Sequence, residues 1–566
     1  MKKLVGAALL ALVGAPVVGN GLVDAAPPRA GLVHLASVGS GDGEAGAEIV
    51  AYDRTTATML VTNGARNQVE VWSLADPAAP SFVRAVAMDP YGISVQSVAA
   101  HKGRAVAVVA GARSSSVTAP TVLDPGLAVF FDIAAGTVLA TVGTGALPDA
   151  VTWSDDGRTV VIANEGEPRC VTGPTRTPTS DPMLAENPEG SITIVDLGDN
   201  GGGNDSRNFR AIARQVGFAG FNGRMAELQA AGVRVGTWPG STVAQDLEPE
   251  YPTISGKTAY VTLQENNAIA TIDLAAGAVV AIRPLGVKDH LLPANVLDPS
   301  DRDGDASGGR PSVFRQIAAP VKGMYMPDTI AGLRHRGSTY LLTANEGDTR
   351  EYFAGIENDE DQPACFADEA RVGSLTLDAS TFPNATTLRT NAVLGRLKVT
   401  SVAPSVKDTS GAYTSLASYG ARSMSVWSAD GKLVWDSGSR FETLVHAADP
   451  ANWPNVSGTP PTIPAWATSR YDDRSDDKGP EPEGLAVGSH KGRTYAFVGL
   501  ERAGGVVVLD VSDPTNPEVL QWVRTAGDIS PEGMVFVPAS DAPGSQPLLL
   551  VAHEISGTTA VYRLSV

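Results

Sequence analysis

One short phrase recurs along this chain: an acid or amide opens an apolar strand, and a second apolar strand exits on glutamate. The openings are Glu48 in AEIVAYD, Gln96 in VQSVAAH, Asp149 in PDAVTWS, Glu250 in PEYPTIS, Asp328 in PDTIAGL, Glu483 in PEGLAVG and Glu532 in PEGMVFV. Pro148, Pro249, Pro327, Pro482 and Pro531 precede five of them. A residue without an N–H is tolerated there, at the first position of a strand. The second strands TVVIANE, TAYVTLQE, TYLLTANE, TYAFVGLE and LLLVAHE end on Glu165, Glu265, Glu346, Glu501 and Glu554.

Third strands follow as QVEVWSL, GLAVFFDI, GSITIVDL, AIATIDL, VGSLTLD and GVVVLDV, and the matching turns ADPAAP and SDPTNP lead into fourth strands. A four-stranded antiparallel unit that repeats about every 50 residues is the pattern of a β-propeller blade. The 60 glycines and 39 prolines suit such a strand-and-turn chain. The expectation is an all-β, seven-bladed propeller. YTSLASYG, RSMSVWS and KLVWDSG offer most of an eighth blade, and stacked sandwiches are the other architecture open to such strands. The strand GLVHLASVG has no opening acid and is expected to complete the last blade beside TTAVYRLSV, which removes an open edge. One domain is expected over residues 32–566, with inserts near 200–245, 286–322, 353–370 and 441–480.

Residues 1–26 have two lysines, a short apolar run and small residues, the layout of a cleaved signal peptide. The mature chain is then periplasmic or secreted and has no membrane span. In such a compartment Cys170 and Cys365 are expected to form a disulfide. With 43 basic and 62 acidic residues the formal charge is −19, the reverse of what phosphate recognition in nucleic acid requires. A monomer is expected.

In a propeller blade, openings and exits converge on one mouth of the central channel. So many carboxylates cannot all ionise at close range without positive charge. Arginines of the exit loops (Arg66, Arg169, Arg350, Arg502) are one remedy and bound calcium is the other. Two further acidic stretches are calcium candidates. YDDRSDDKGPEPEG carries Asp477, Glu481 and Glu483, and DPSDRDGDASGG sets Asp301, Asp303 and Asp305 at alternate positions without the distal glutamate of an EF-hand. The usual nucleophile, zinc and phosphate-loop motifs are missing, and His553 alone among the histidines is placed by the repeat at an exit.

Through GMYMPDTIAGL, LLTANEGDTREY, RSDDKGPEPEG, GDISPEGMVF and VAHEISGTTAVYRL the chain resembles the choice-of-anchor I family from about Val33 to Val566. The resemblance implies an exported propeller similar to the mesenchyme-specific cell surface glycoprotein, with bacterial members labelled alkaline phosphatase or phytase-esterase-like. It carries over no catalytic residues. Two functions follow as expectations. One is a calcium-dependent hydrolase of a small phosphate ester, with Asp328, Glu346, Asp348 and Arg350 catalytic and Glu250, Asp477, Glu481, Glu483, Glu532, Asp301, Asp303 and Asp305 as metal ligands. The other is a binding module for an envelope or matrix component.

Overall fold

The computed structural model describes residues 30–111, 125–170, 184–198, 209–238, 240–304, 312–353, 364–450 and 472–566. The expected signal peptide and Asp305 lie outside them. Among the described residues are seven four-stranded antiparallel sheets, I to VII in chain order of their first strands. Those first strands are Val50–Asp53, Ser94–His101, Pro148–Trp153, Pro249–Ser255, Ile330–His335, Pro482–His490 and Pro531–Val537. Each lies at an edge of its sheet and pairs on one side only.

Local chemistry explains the hairpins. His101-Lys102-Gly103-Arg104, His335-Arg336-Gly337-Ser338 and His490-Lys491-Gly492-Arg493 join first to second strands in sheets II, V and VI. In each, both central residues have positive φ (50° and 81°, 49° and 84°, 50° and 77°). That is the two-residue turn whose twist matches the strands it connects. The Asp-Pro turns close because Asp76 Oδ1 and Asp513 Oδ1 accept from the N–H groups of Ala78 and Thr515, at 3.0 Å in both cases.

Packing closes the sheets into a ring. Leu60 and Val71 of sheet I share a core with Ala107 of sheet II; Val108, Phe130 and Ile162 join II to III; and Ile194, Val261 and Ile272 join III to IV. Tyr260 with Trp427, Leu342 with Val498, Phe497 with Leu549, and Leu550 with Met59 continue the series through IV/V, V/VI, VI/VII and back to VII/I. Each sheet thus buries both faces against its chain neighbours, and the last meets the first. This is a β-propeller. Sheet VII is completed as expected, since Gly31–Val38 pairs antiparallel with Thr558–Ser565.

Sheet V departs from the sequence reading. VGSLTLD was expected to be its third strand, whereas Val372–Ser374 is a 3-10 turn and the third and fourth strands are Ser423–Ser428 and Leu433–Asp436. RSMSVWS and KLVWDSG therefore complete sheet V. YTSLASYG supplies two short pieces, Tyr413–Ser415 and Ala417–Ser418, that pair outside the seven sheets. The apolar residues of VGSLTLD serve a satellite core instead, where Val372, Leu375 and Leu377 pack with Leu297, Leu397 and Val399.

Candidate functional site

The same local device aims the opening residue in several sheets. In sheets III, IV, VI and VII the ladder slips between Pro148 and Val151, Pro249 and Pro252, Pro482 and Leu485, and Pro531 and Met534. A similar slip flanks Gln96 in sheet II. Each slip is a β-bulge beside the opening residue, and bulges re-aim side chains next to functional sites. Before the proline, Leu147, Met326, Glu481 and Ser530 adopt positive φ of 46°, 42°, 55° and 64°. This turns a carbonyl toward the exit. The N–H groups of Glu165, Gly347, Glu501 and Glu554 donate to the oxygens of Leu147, Met326, Glu481 and Ser530 at 2.8, 3.0, 2.7 and 2.9 Å. Opening acid and exit glutamate are thereby locked side by side.

The glycine after two openings has a steric reason. A Cβ on Gly484 would stand 2.0 Å from the carbonyl oxygen of Glu532, and one on Gly533 would stand 2.6 Å from that of Glu48. Inner strands of neighbouring sheets meet there, and Gly533 N–H donates to Glu48 O at 3.0 Å. The asparagine before two exits is architectural as well. Asn164 Nδ2 donates to Thr193 Oγ1 (3.0 Å), and Asn345 Nδ2 donates to Ser423 and Ser425 Oγ (3.2 and 2.8 Å), tying second to third strand.

The result is a funnel of about 600 Å³ lined by Asp328, Glu346, Asp348, Glu483, Glu501 and Glu532 among others. Its charge is segregated. On one wall Lys478 Nζ lies 2.6 Å from Glu346 Oε1, 3.3 Å from Glu481 Oε2 and 3.4 Å from Asp348 Oδ1. Arg474 meets Glu481 at 2.6 Å and Asp477 at 3.2 Å, and Arg502 meets Glu501 at 2.8 Å. Burial opposes ionisation of Glu481, but Arg474, Lys478 and Arg502 outweigh it and hold its carboxyl at about 2. Oxygens of Glu346, Glu481 and Glu501 all lie within 4.8 Å of one another, the spacing of a metal cage. Lys478 already supplies the positive charge in that cage, which makes it a poor place for a metal.

A second set of acids on the funnel wall forms no such ion pair among the described residues. Glu483 and Glu532, which line the funnel, each keep a buried Oε2 without a hydrogen-bond partner, as does Glu250, which feels the charge of Asp328 but is not part of the lining. Burial pushes Asp149 up to about 7, and burial with the fields of Glu554 and Asp149 pushes Glu48 up to about 8. Glu250, Asp328, Glu483 and Glu532 are pushed well above the carboxylate range, first by burial and then by one another and their neighbours. Asp328 accepts a hydrogen bond from Thr329 Oγ1 at 2.9 Å. Such a set can hold shared protons or take up a cation.

Several expected residues stand elsewhere. Arg350, expected to contact an anion, is 1% exposed; its Nη1 bonds Asp246 Oδ1 and Thr237 Oγ1 at 2.6 and 2.5 Å, and its Nη2 bonds Asp246 O at 2.6 Å. It ties the exit loop to the preceding insert and is not free for an anion. Asp301 is engaged by Arg396 (2.9 Å) and Arg302 (3.3 Å), and Asp303 by Arg315 (3.3 Å) and the N–H of Val313 (3.0 Å). Arginines have taken the role expected of calcium there. Cys170 and Cys365 lie in two short ribbons, Arg169–Cys170 with Leu184–Glu186 and Glu351–Phe353 with Ala364–Ala367, and the expected disulfide falls on side chains outside those described. His553 is packed at 1% exposure. The sequence reading missed Lys478, which lies inside the quoted acidic stretch RSDDKGPEPEG; a lone lysine among acids just before an opening was the available signal.

The sequence profile of the choice-of-anchor I domain matches residues 48–514. The chain belongs to the choice-of-anchor I family. Gigasin-3a of Magallana gigas is 27% identical to this choice-of-anchor I chain over 192 residues, which are 31% of this chain and 66% of that protein. The match thus spans just under two thirds of that relative's length. Among solved structures, Kuenenia stuttgartiensis hydrazine synthase aligns at 12% identity over 92% of this chain and 97% of its own, with a TM-score of 0.42. The Cps50 (Swd1) β-propeller domain of Myceliophteria thermophila aligns at 7% identity over 94% and 100%, also with a TM-score of 0.42. Choice-of-anchor domains suggest a cell-surface or exported protein. Among the described residues no helix is long and apolar enough to cross a membrane.

Proposed function

We propose that this family member is an exported propeller whose acidic funnel binds a hard divalent cation, calcium foremost, and uses it to hydrolyse a small phosphate ester. The observation that carries the reading is the unrelieved wall. Glu483 and Glu532 hold buried oxygens without hydrogen-bond partners, while the lysine and arginines of the funnel pair with Glu346, Glu481 and Glu501. Calcium takes several oxygen ligands in irregular geometry and suits such a set. Asp328, Glu483 and Glu532 would hold it, and Lys478 and Arg502, which line the same cavity, would contribute positive charge near a bound phosphate. A metal supplies charge neutralisation and an activated water there.

The test is calorimetric titration of calcium into chelator-stripped protein, with a chromogenic phosphomonoester assayed in parallel across alkaline pH. Saturable binding that Asp328→Asn and Glu532→Gln weaken, together with calcium-dependent turnover, supports the proposal. Binding without turnover removes the hydrolase and leaves a cation-dependent binding module. Absence of both removes the reading altogether.

A further inference from the structure

The funnel is the upper end of a channel that runs through the disc. Glu532 lines both the funnel and a middle cavity of about 340 Å³, and Val535 lines both the middle cavity and a lower one of about 340 Å³. One inner strand, Pro531–Val537, therefore touches all three levels in sequence. The strand Pro148–Trp153 repeats the order, with Ala150 to Trp153 in the middle and Trp153 below.

The middle level has a double character. Its side chains are largely apolar, including Val98, Val151, Ile330, Leu485 and Met534. Its backbone is open, because every first strand is a sheet edge and lacks a ladder partner on the channel side. Hydroxyls of Ser97 and Thr152 join that lining. Methylene groups fit the first kind of surface and N–H donors fit the second. A bare metal ion fits neither, since leaving its water for carbonyls and aliphatic groups is costly.

The protein also shows how its carboxylates hold an ammonium, for Lys478 Nζ sits among Glu346, Glu481 and Asp348 at 2.6 to 3.4 Å. Glu483 and Glu532, which line the same funnel and each keep a buried Oε2 without a hydrogen-bond partner, show that the neighbouring carboxylates lack such a group. We propose that the channel binds linear aliphatic diamines and polyamines, with one ammonium on the carboxylates of Glu483 and Glu532 and the chain running into the middle level, where a second ammonium meets open carbonyls and hydroxyls. The proposal rests on the cation-accepting wall and on neither metal binding nor hydrolysis.

The probes are ethylenediamine, putrescine, cadaverine and spermidine, with n-butylamine as the single-headed control, titrated calorimetrically into the mature chain in chelator at mildly alkaline pH. Putrescine or cadaverine should bind about tenfold or more tighter than n-butylamine, and ethylenediamine should bind more weakly than either. Glu532→Gln should weaken every amine, and Thr152→Lys should weaken the diamines alone by placing a like charge in the middle level. Equal affinity for putrescine and n-butylamine overturns the proposal, as does diamine binding that neither variant alters. If Thr152→Lys does not fold, the wild-type protein still decides: an alkane diol of putrescine's length must fail to bind, and a diol that binds as well as putrescine overturns it. Diamine binding in a protein that ignores calcium would sustain this inference while removing the metal reading.

Discussion

Raising pH in the absence of metal should destabilise this protein through neutrality, where most proteins are most stable. The carboxyls of Glu48, Asp149 and Glu501 are raised to about 8, about 7 and about 8 from ordinary values of 4.5, 3.8 and 4.5. Burial is the leading cause in each. A group raised in the folded state contributes stability that is complete below its unfolded value and disappears as pH climbs through its folded value. Between pH 4.5 and 7 each such group costs about 1.4 kcal/mol per pH unit, so three cost about 4. Solvent screening reduces this to about 2 kcal/mol per unit, or roughly 2 °C in Tm for a chain of this size. Glu481 works in the opposite direction. Its value of about 2 adds stability that is present above 4.5 and lost as pH falls toward 2. Stability of the chelated protein should therefore peak near pH 4.5 and decline on both sides. Calcium that binds the ionised wall would offset the alkaline arm, by about 2.7 kcal/mol at a hundredfold excess over Kd. Differential scanning calorimetry across this range, with chelator and then with calcium, measures both arms. A chelated protein whose Tm is flat or rises from pH 4.5 to 7 would refute the reasoning.

Two substitutions test the site's construction. Lys478→Met removes the ammonium from Glu346 and should cost about 3 kcal/mol in urea unfolding at neutral pH, because the buried Glu346 carboxylate loses its cation while Glu481 keeps Arg474. Gly484→Ala forces a methyl group against the Glu532 carbonyl and should cost about 3 kcal/mol or more, whereas Gly492→Ala, at a turn with open space, should show only the smaller penalty of its positive φ.

The ring was legible in the sequence because most sheets announce themselves locally. In sheets III, IV, VI and VII proline, an acid, an apolar hairpin and a terminal glutamate fall within one short stretch, and the same bulge accompanies the same residues. Sheet V was misread because its second and third strands, Ser338–Asn345 and Ser423–Ser428, are separated by an insert with its own core. VGSLTLD alternates as a strand should, but that alternation is satisfied by the satellite core. Charge partners were the other obscure part. Arg350 finds Asp246, and Asp301 finds Arg396, across long stretches of chain that no spacing rule connects. Asp328, Glu483 and Glu532 among the openings and Glu346, Glu501 and Glu554 among the exits line the funnel, because backbone geometry carries them there. Which of them would be neutralised depended on Lys478, a side chain contributed by a loop rather than by the repeat.

The seam in sheet VII makes this ring a clasp. Gly31–Val38 waits as an unpaired strand until Thr558–Ser565 arrives, so a segment that leaves the ribosome early is among the last to find its neighbour. Pairing at such separation is entropically slow. A chain built this way cannot close its ring until both strands of the seam are available to each other.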